Sequence, residues 1–182
     1  MHKMRSTNKM GNYRQSMDVQ YYQSPCGELI LASYDGKLCL CDWYDKPCAE
    51  HNKKRTQRIL EADAKEESST VLNQTKKELD EYFAGIRNDF NIPLLLTGTD
   101  FQKKVWLALL EIPYGETRTY LDIARRVNNP KGVRAVAQAI GANGISLFIP
   151  CHRVIGSNHS LTGFAGGLDA KRLLLGLEGA DI

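Results

Sequence analysis

Several features that would indicate a membrane, secreted or repeat protein are absent from the sequence. It has no apolar run of bilayer-spanning length, no internal repeat, no low-complexity segment, and no apolar core behind its basic N-terminus that would make a secretory signal. Its five cysteines are an odd number at irregular spacing, which indicates free thiols and not a disulfide framework. We therefore expect a cytoplasmic protein that does not enter a membrane.

The composition that remains is sufficient for a buried core. The 182 residues are 42% hydrophobic, 25% charged and 8% aromatic, values typical of one large domain or two small ones. The formal net charge is only +3, but the stretch from Tyr114 to Ser160 has six basic and two acidic residues. Such a local excess suits a phosphate-bearing partner and a solvated surface equally well, so charge alone does not choose between them.

The first half of the chain divides into a tail and a small domain. Residues 1–17 are polar and basic, and they predict a flexible basic tail. The stretch GELILASYDGKLCLCDWY predicts two strands joined at Asp35-Gly36, a dipeptide typical of tight hairpins. Residues 46–68 are charged and weakly periodic, so no helix or strand is predicted there. We assign residues 18–95 to an α/β domain.

Helical patterns dominate from Val71 onward. Apolar residues on one face predict a helix from Val71 to Phe83. After the extended stretch FNIPLLLTGTD, where we place the domain boundary, Thr99 or Asp100 can cap the next helix. Residues 96–182 are therefore predicted to form a second, mainly helical domain.

Two short helices in this second domain suggest a helix-turn-helix. Thr119 and Asp122 form a capping-box pattern at the start of the helix YLDIARRV, and an Asn-Asn-Pro turn ends that helix. Lys131 is predicted to begin the next helix, KGVRAVAQAIGAN. The second helix is rich in small residues and carries an arginine. This geometry occurs both in DNA-binding proteins and in proteins that never bind DNA, and the pattern leaves both open.

The adjacent pair Cys151-His152 is the candidate for chemistry. A thiolate is the nucleophilic form of cysteine, and it needs a base or a positive field beside it. His152 and Arg153 can supply these, but neighbouring side chains point to opposite faces wherever the backbone is extended. A catalytic pair, half of a metal site and two buried side chains therefore remain alternatives.

A separate metal site is the weaker interpretation of the remaining cysteines. Cys39, Cys41, Cys48 and His51 offer four ligands, but their spacing matches no recognised zinc pattern. Cys39 and Cys41 are predicted to share one face of the second strand, where two small side chains pack without further explanation. We expect no bound metal.

Several motifs in a fixed order carry a resemblance to a known family. IPYGETRTY, RAVAQAIGAN, IPCHRVIG and GFAGGLDAKRLLLGLEG resemble the O6-alkylguanine-DNA alkyltransferases, also called methylated-DNA–protein-cysteine methyltransferases. The resemblance implies an α/β (α+β) fold, with a small RNase H-like N-terminal domain and a C-terminal domain that contains a winged-helix-like helix-turn-helix.

The resemblance also implies an activity. A cofactor-free monomer would bind double-stranded DNA through the minor groove and flip O6-alkylguanine out of the stack, with O4-alkylthymine as a further candidate substrate. The alkyl group would then pass irreversibly to a cysteine, in one turnover per chain. This is a suicide methyltransferase that repairs DNA directly.

The reacting residues follow from the same resemblance. Cys151 matches the acceptor, His152 the histidine that helps to deprotonate it through a water, and Glu178 the acid that orients this histidine. Asn143 matches an asparagine that braces the turn around the site. Tyr120 matches a tyrosine that donates a hydrogen bond to the guanine ring as the base leaves.

The remaining assignments concern the DNA and the substrate pocket. Arg134 matches the arginine that takes the place of the flipped base, and Gly132 and Ala135 are small enough to enter a narrow minor groove. Thr119 and Lys131 complete the predicted DNA-binding set. The predicted pocket consists of Val154, Phe164, Ala165 and Arg153. Relatives often have a tyrosine and a hydroxyl residue where this chain has GFAGG, which leaves its preference among alkyl groups open.

Other activities compete with alkyl transfer. A lesion-binding protein would hold the flipped base without reacting, but relatives of that kind lack the acceptor cysteine. A cysteine hydrolase would use Cys151 and His152, but water does not resolve the thioether that alkyl transfer forms. A helix-turn-helix regulator would need several polar side chains for base readout, and the second helix offers one arginine.

Overall fold

The computed structural model describes residues 15–181 of the protein. A four-stranded sheet and two helices form the first half of the chain. In chain order the elements are β1 (Ser16–Ser24), β2 (Gly27–Tyr34), β3 (Lys37–Trp43), α1 (Pro47–Leu60), β4 (Asp63–Glu66) and α2 (Thr70–Phe83). The strand order is β3-β2-β1-β4, in which β2 is antiparallel to both neighbours and β4 is parallel to β1.

The predicted hairpin and the predicted helix after it are both confirmed. Asp35 and Gly36 connect β2 to β3 with φ values of 48° and 70°, the positive values that a two-residue hairpin turn requires. Helix α2 begins at Thr70, where the Ser69 hydroxyl accepts a hydrogen bond from a backbone N–H of the first turn. These elements have strong local signals.

Two predictions in this half are wrong. The predicted tail extends to residue 17, but Ser16 begins β1 and Met17 is fully buried; residues 1–14 lie outside the described residues. Residues 46–68, where no element is predicted, contain α1 and β4. The buried face of α1 is made of small or polar side chains, which leave no apolar period to detect, namely Ala49, Asn52 and Thr56.

A β-bulge in β3 separates the two cysteines that were expected on one strand face. The pairing of β2 with β3 shifts between Ala32 and Ser33, which makes Cys39 an extra residue in its strand. Cys39 and Leu40 therefore contribute to one apolar cluster, while Cys41 contributes to the cluster on the other face of the sheet. The expectation of a shared face is wrong because the bulge resets the alternation.

The second half is mainly helical, as predicted. Its elements are α3 (Asp100–Leu110), β5 (Arg118–Thr119), α4 (Tyr120–Arg126), α5 (Val133–Gly141), a 3-10 turn (Cys151–Arg153), β6 (Val154–Ile155) and α6 (Leu168–Leu177). Thr99 with Gln102 and Thr119 with Asp122 form complete capping boxes at the starts of α3 and α4. The two short strands pair in parallel.

The helix-turn-helix formed by α4 and α5 has a later second helix than the sequence predicts. Lys131 is the predicted first residue, but α5 begins at Val133. The Gly132 N–H donates to the Asn129 carbonyl at 2.9 Å, and a Cβ at Gly132 would lie only 2.1 Å from Asn129 Nδ2. The predicted helix start is wrong because Lys131 and Gly132, which fit the helical pattern of the sequence, belong to this tight turn.

One apolar cluster joins the two halves of the chain. It contains side chains from β2, β3 and α2 together with side chains from α3, α4, α5 and α6. The backbone of β3 also pairs with the segment after α5, since the Cys41 N–H donates to the Gly144 carbonyl at 2.9 Å and the Ser146 N–H donates to the Cys41 carbonyl at 2.7 Å. The sheet thus fixes the chain that leads into Cys151. Within residues 15–181, no helix has the length and apolarity needed to cross a membrane.

Candidate active site

Cys151 begins a short 3-10 turn, so the alternation of side chains in extended backbone does not apply to it. The Cys151 N–H donates to the Ile149 carbonyl at 2.7 Å, and the turn leads directly into β6. Cys151, His152 and Arg153 are all buried, with exposed fractions of 7%, 0% and 7%. Three adjacent buried polar residues require specific partners, because each would otherwise lose its contacts with water.

Asn143 connects the turn to the thiol. Its Nδ2 donates to the Ile149 carbonyl at 3.0 Å and to Cys151 Sγ at 3.2 Å, while its Oδ1 accepts a hydrogen bond from the Ile145 N–H at 2.9 Å. The residue follows α5 by two positions, and β3 holds the segment beside it. A hydrogen bond donated to sulfur favours the thiolate over the thiol.

The protonation of Cys151 is set by opposing effects. Burial raises the pKa of the thiol, while the hydrogen bond from Asn143 and the positive charge of Lys171 lower it. Because burial is the largest effect, the resting group is the neutral thiol. The nucleophile must then be generated by a base.

His152 is tied to Glu178 in a buried polar cluster. Its Nε2 lies 2.7 Å from Glu178 Oε1. Arg153 donates from Nε to Oε2 at 2.8 Å and from Nη2 to Oε1 at 3.0 Å, and the Tyr82 hydroxyl donates to Oε1 at 2.7 Å. Burial raises the pKa of Glu178, but hydrogen bonds from His152 and Arg153 outweigh it and lower the pKa to about 2. Glu178 is therefore a carboxylate at neutral pH.

The geometry of His152 leaves one ring nitrogen available. Burial lowers the pKa of His152 in spite of the opposing effect of Glu178, which favours the neutral ring at neutral pH. We infer that Nε2 carries the hydrogen and donates it to the carboxylate, so that Nδ1 has the free lone pair. Nδ1 is buried and has no hydrogen-bond partner among the described residues. The residue next to Cys151 thus contains a base that is oriented by a carboxylate.

Lys171 is a member of the site that the sequence analysis did not identify. It is fully buried on α6, and its Nζ donates to the Val154 carbonyl at 2.5 Å and to the Thr162 carbonyl at 2.8 Å. Burial lowers the pKa of Lys171 to about 8. Its signal in the sequence is its position on the buried helix face, three residues before Leu174.

A cleft of about 320 Å³ opens beside the thiol. Residues of α1, α4, α5, the segment after α5, the 3-10 turn and the loop before α6 line it: Cys48, Tyr120, Ala137, Ile140, Gly141, Asn143, Cys151, Gly163, Phe164 and Ala165. The Tyr120 hydroxyl donates to the Thr162 carbonyl at 3.3 Å, and burial raises its pKa. The volume and the largely apolar lining suit a flat ring of the size of a base.

The predicted pocket residues separate into two places. Phe164 and Ala165 line the cleft, while Val154 is fully buried and its carbonyl accepts the hydrogen bond from Lys171. Arg153 does not line the cleft, so the prediction that it belongs to the substrate pocket is wrong. Its guanidinium instead bonds Glu178 and donates from Nη1 to the Ile112 carbonyl at 2.6 Å. These acceptors offset the cost of removing the Arg153 guanidinium from water.

The predicted DNA-binding residues surround the helix-turn-helix. Arg134 and Ala135 are exposed in the first turn of α5, and Lys131 is exposed in the turn before it. Thr119 caps α4 through its hydroxyl, and Gly132 is packed in the turn. The structure therefore brings two basic side chains and one small one to the exposed start of α5.

The candidate metal ligands are not assembled. Among residues 15–181, no group of three or more histidine, cysteine, aspartate or glutamate side chains is placed to hold a metal ion. Cys39 and Cys41 are buried in separate clusters, the Cys48 thiol donates to Asp42 Oδ1 at 3.8 Å, and His51 is exposed on α1.

Two family models match nearly the whole chain. The model described as 6-O-methylguanine DNA methyltransferase, ribonuclease-like domain, matches residues 17–96. The model described as 6-O-methylguanine DNA methyltransferase, DNA binding domain, matches residues 100–180.

Individual relatives are similar over the same length. The methylated-DNA–protein-cysteine methyltransferase of Methanosarcina acetivorans is 43% identical over 159 residues, which cover 87% of this chain and 96% of that protein. The constitutive enzyme of the same name from Bacillus subtilis is 43% identical over 171 residues, with coverage of 88% and 96%. The crystal structure of Mycobacterium tuberculosis OGT in complex with DNA aligns with a TM-score of 0.76 at 38% identity, over 89% of this chain and 92% of that one.

Proposed function

The chain belongs to the 6-O-methylguanine DNA methyltransferase family, and we propose that Cys151 is the cysteine that receives the alkyl group. The protein is a DNA-repair alkyltransferase with a ribonuclease-like N-terminal domain and a DNA-binding C-terminal domain, as its sequence predicts. DNA is its partner.

The observation that carries the assignment of Cys151 is the contrast between the two cysteines of the cleft. Burial raises the pKa of Cys48 to about 11, and its thiol donates toward the Asp42 carboxylate. Cys151 instead accepts a hydrogen bond from Asn143 and is followed by a histidine that a carboxylate orients. Of the two thiols, Cys151 has the surroundings that generate a thiolate.

The proposed reaction is a displacement at the alkyl carbon. His152 Nδ1 takes the thiol proton of Cys151 through a water, and the thiolate attacks the carbon on the side opposite the guanine O6. The S–C bond forms as the C–O6 bond breaks, and the electron pair remains with guanine, whose ring then accepts a proton. The product is a thioether that water does not cleave, so each chain reacts once.

Tyr120 is the proposed donor to the leaving guanine. It lines the cleft, and its hydroxyl makes a hydrogen bond of 3.3 Å to the Thr162 carbonyl, a long contact that a guanine ring nitrogen can replace. Because burial raises the pKa of Tyr120, the hydroxyl keeps its proton until negative charge develops on the base.

The proposed substrate is O6-alkylguanine in double-stranded DNA, with O4-alkylthymine as a further candidate, bound through the minor groove. Arg134 is exposed at the start of α5 beside the small Ala135, and Lys131 adds a second positive charge. Short side chains allow a helix to approach a narrow groove, and the arginine fills the space left by a flipped base. We propose a cytoplasmic location, which suits five free cysteines, and a monomer, because one chain contains every residue that the reaction uses.

The assignment is tested by a matched pair of cysteine variants. A duplex labelled in the O6-methyl group is incubated with Cys151→Ser and with Cys48→Ser, which lines the same cleft. We expect Cys151→Ser to bind the duplex without taking the label and Cys48→Ser to take one label per chain. Transfer by Cys151→Ser would contradict the assignment. A wild-type protein that binds without labelling would favour the lesion-binding alternative, and turnover of a chromogenic ester would favour the hydrolase.

A further inference from the structure

The loop that forms one wall of the cleft lies against a tryptophan from the other half of the protein. We call residues 163–167 the pocket loop. Trp43 is the last residue of β3 and is 1% exposed. Its ring meets Phe164 edge-on, with centroids 5.8 Å apart and an interplanar angle of 70°. Phe164 is also edge-on to His152, at 6.4 Å. The Phe164 ring therefore lies between Trp43 of the sheet domain and His152, the proposed base.

A second contact in the pocket loop is closer still. A Cβ at Gly166 would lie 2.5 Å from Trp43 Cε2 and 2.8 Å from Cδ2, distances at which one of the groups must move. The loop backbone thus lies directly against the indole. The Gly167 N–H donates to the Phe164 carbonyl at 3.0 Å, which closes the loop into a tight turn. A displacement of Trp43 would consequently be transmitted to the whole loop.

Trp43 makes these contacts through its shape. Its Nε1 is buried and has no hydrogen-bond partner among the described residues, an arrangement that costs free energy. Within its own domain the ring lies over Gly27, where an added Cβ would be 3.7 Å from it, and the Trp43 carbonyl accepts a hydrogen bond from the Lys46 N–H at 3.0 Å, which holds the backbone. The contacts of the Trp43 ring with Phe164 and Gly166, and not a hydrogen bond from its N–H, therefore account for the presence of a large rigid side chain here.

We propose that Trp43 sets the size of the alkyl group that the cleft accepts, because it determines how far the pocket loop projects toward Cys151. Phe164 and Ala165 line the cleft, and Trp43 lies behind them without lining it. This inference rests on the proposed function, in which the cleft receives the alkylated base. It gives the ribonuclease-like domain a direct part in substrate selection.

The test compares O6-methylguanine and O6-benzylguanine in one duplex sequence, in single-turnover reactions of Trp43→Leu. Without the indole, the pocket loop relaxes toward the sheet and the cleft widens. We expect the ratio of the benzyl rate to the methyl rate to rise about tenfold, the lower end of what the shape of an apolar pocket distinguishes. Trp43→Phe keeps an aromatic edge against Phe164 and should give an intermediate ratio, so it serves as a second variant with less disruption of the core.

The control removes apolar volume elsewhere in the same core. Leu72→Ala truncates a fully buried side chain of α2 that belongs to the same apolar cluster and does not line the cleft. Its benzyl-to-methyl ratio should equal that of the wild type, because a general loss of stability lowers both rates together.

Gly166→Ala tests the contact from the loop side. In the wild type the added methyl group collides with the indole and displaces the pocket loop, so both rates should fall about tenfold or more. In the Trp43→Leu background the collision is removed, and the same substitution should have little effect. Two merely destabilising changes would not relieve each other in this way.

The outcomes separate the inference from the function on which it rests. A wild-type protein that labels neither duplex overturns both. If the wild type labels both duplexes and folded Trp43→Leu and Trp43→Phe keep the ratio of Leu72→Ala, the proposed function stands and the role of Trp43 is overturned. Additive effects of Trp43→Leu and Gly166→Ala would contradict the contact in the same manner.

Discussion

At the scale of single residues, Glu178 is the group on which the buried polar side chains converge. It accepts hydrogen bonds from His152, Arg153 and Tyr82, and its Oε2 also accepts one from the Gly115 N–H at 3.3 Å. The carboxylate is the counterion of the buried Arg153 guanidinium, and it is the acceptor that selects the tautomer of His152, the proposed base. Stability and reactivity therefore depend on one charge.

Glu178→Gln should damage both properties. The amide keeps the shape but leaves Arg153 buried without a counterion, so we expect the free energy of unfolding to fall by about 3 kcal/mol in urea titrations. The alkyl-transfer rate should fall about 100-fold or more, because the neutral amide removes the negative charge that stabilises His152 when it takes up the thiol proton. Glu116→Gln, an exposed partner of Arg118, should change the free energy by no more than about 0.5 kcal/mol. A full transfer rate in Glu178→Gln would contradict the role of the His152–Glu178 pair.

Lys171 should set the reactivity of the thiol from a distance. Its positive charge lowers the pKa of Cys151, so Lys171→Met should raise that pKa and slow alkylation by free O6-benzylguanine about tenfold at neutral pH. The rate should recover at higher pH, which displaces the whole pH profile. Arg172→Met, an exposed neighbour paired with Asp169, provides the control with an undisplaced profile. A profile for Lys171→Met that matches this control would exclude an electrostatic role.

The buried amine of Lys171 also predicts how stability depends on pH. Burial lowers its pKa from 10.5 to about 8, so between these values the unfolded chain binds more protons than the folded protein. The free energy of unfolding attributable to this group therefore rises as pH increases from about 8 to about 10.5, and its burial is unfavourable below that window. Other groups titrate in this window in both proteins, among them cysteine thiols whose pKa burial raises. Urea unfolding of the wild type and of Lys171→Met at both ends of the window should therefore show that the free energy of unfolding of the wild type, minus that of the variant, increases with pH. An equal pH dependence in both proteins would contradict the shift.

At the scale of elements, α5 joins the proposed DNA-binding surface to the proposed active site. Arg134 lies in its first turn, and its last turn leads within two residues to Asn143, which contacts Cys151 Sγ. The Trp106 indole donates to the Ala139 carbonyl at 2.8 Å, and Arg55 donates to the Ala142 carbonyl at 2.9 Å, so the C-terminal end of the helix is held firmly. The exposed start of α5 is free to contact DNA.

Arg134→Ala should distinguish the two ends of α5. Repair of O6-methylguanine in a duplex should slow about tenfold or more because nothing replaces the flipped base, while reaction with free O6-benzylguanine should be unchanged. Gln138→Ala, exposed one turn further along α5, is the matched control and should leave both rates near those of the wild type. Equal losses on duplex and free base would show that Arg134 does not act through the DNA.

Elements with local signals were the predictable part of the fold. The Asp35-Gly36 turn and the Thr119–Asp122 capping box depend on a few adjacent residues, and both are confirmed. Helix α1 buries Asn52 against Asp42 at 2.7 Å, and no property of its own sequence reveals that partner. The bulge at Cys39 is likewise set by the pairing with β2, which the sequence of β3 alone does not specify.

The same limit applies to the site. The Cys151-His152 pair and the distant Glu178 follow from motifs whose order resembles one family. Lys171 escaped notice because its acceptors are carbonyls 17 and 9 residues away, and a backbone acceptor has no signature in sequence. Arg153 is predicted to line the pocket, whereas its guanidinium bonds Glu178, which is 25 residues distant in sequence.

At the scale of the whole molecule, the two halves share one core. The larger apolar cluster contains Trp43 from the sheet domain and Trp106 from the helical domain, and the backbone of Cys41 pairs with the chain beside Asn143. The site is therefore built on a scaffold to which both domains contribute.

The shared core predicts that the domains unfold together. Each half has one tryptophan, so Trp43→Phe reports on the helical half through Trp106 fluorescence, and Trp106→Phe reports on the sheet half through Trp43. For each variant we expect the urea transition followed by fluorescence to coincide with the transition followed by far-ultraviolet circular dichroism. Two separate transitions in either variant would contradict a single cooperative unit.

The central claim, that Cys151 receives the alkyl group in a single irreversible event, is tested most directly by mass. The protein is incubated with an excess of duplex containing one O6-methylguanine, and the intact mass and the masses of its peptides are then measured. The account predicts a gain of one methyl group per chain, confined to the peptide that contains Cys151, with no further gain on longer incubation. A methyl group on the Cys48 peptide, or an unchanged mass with the lesion bound, would contradict it.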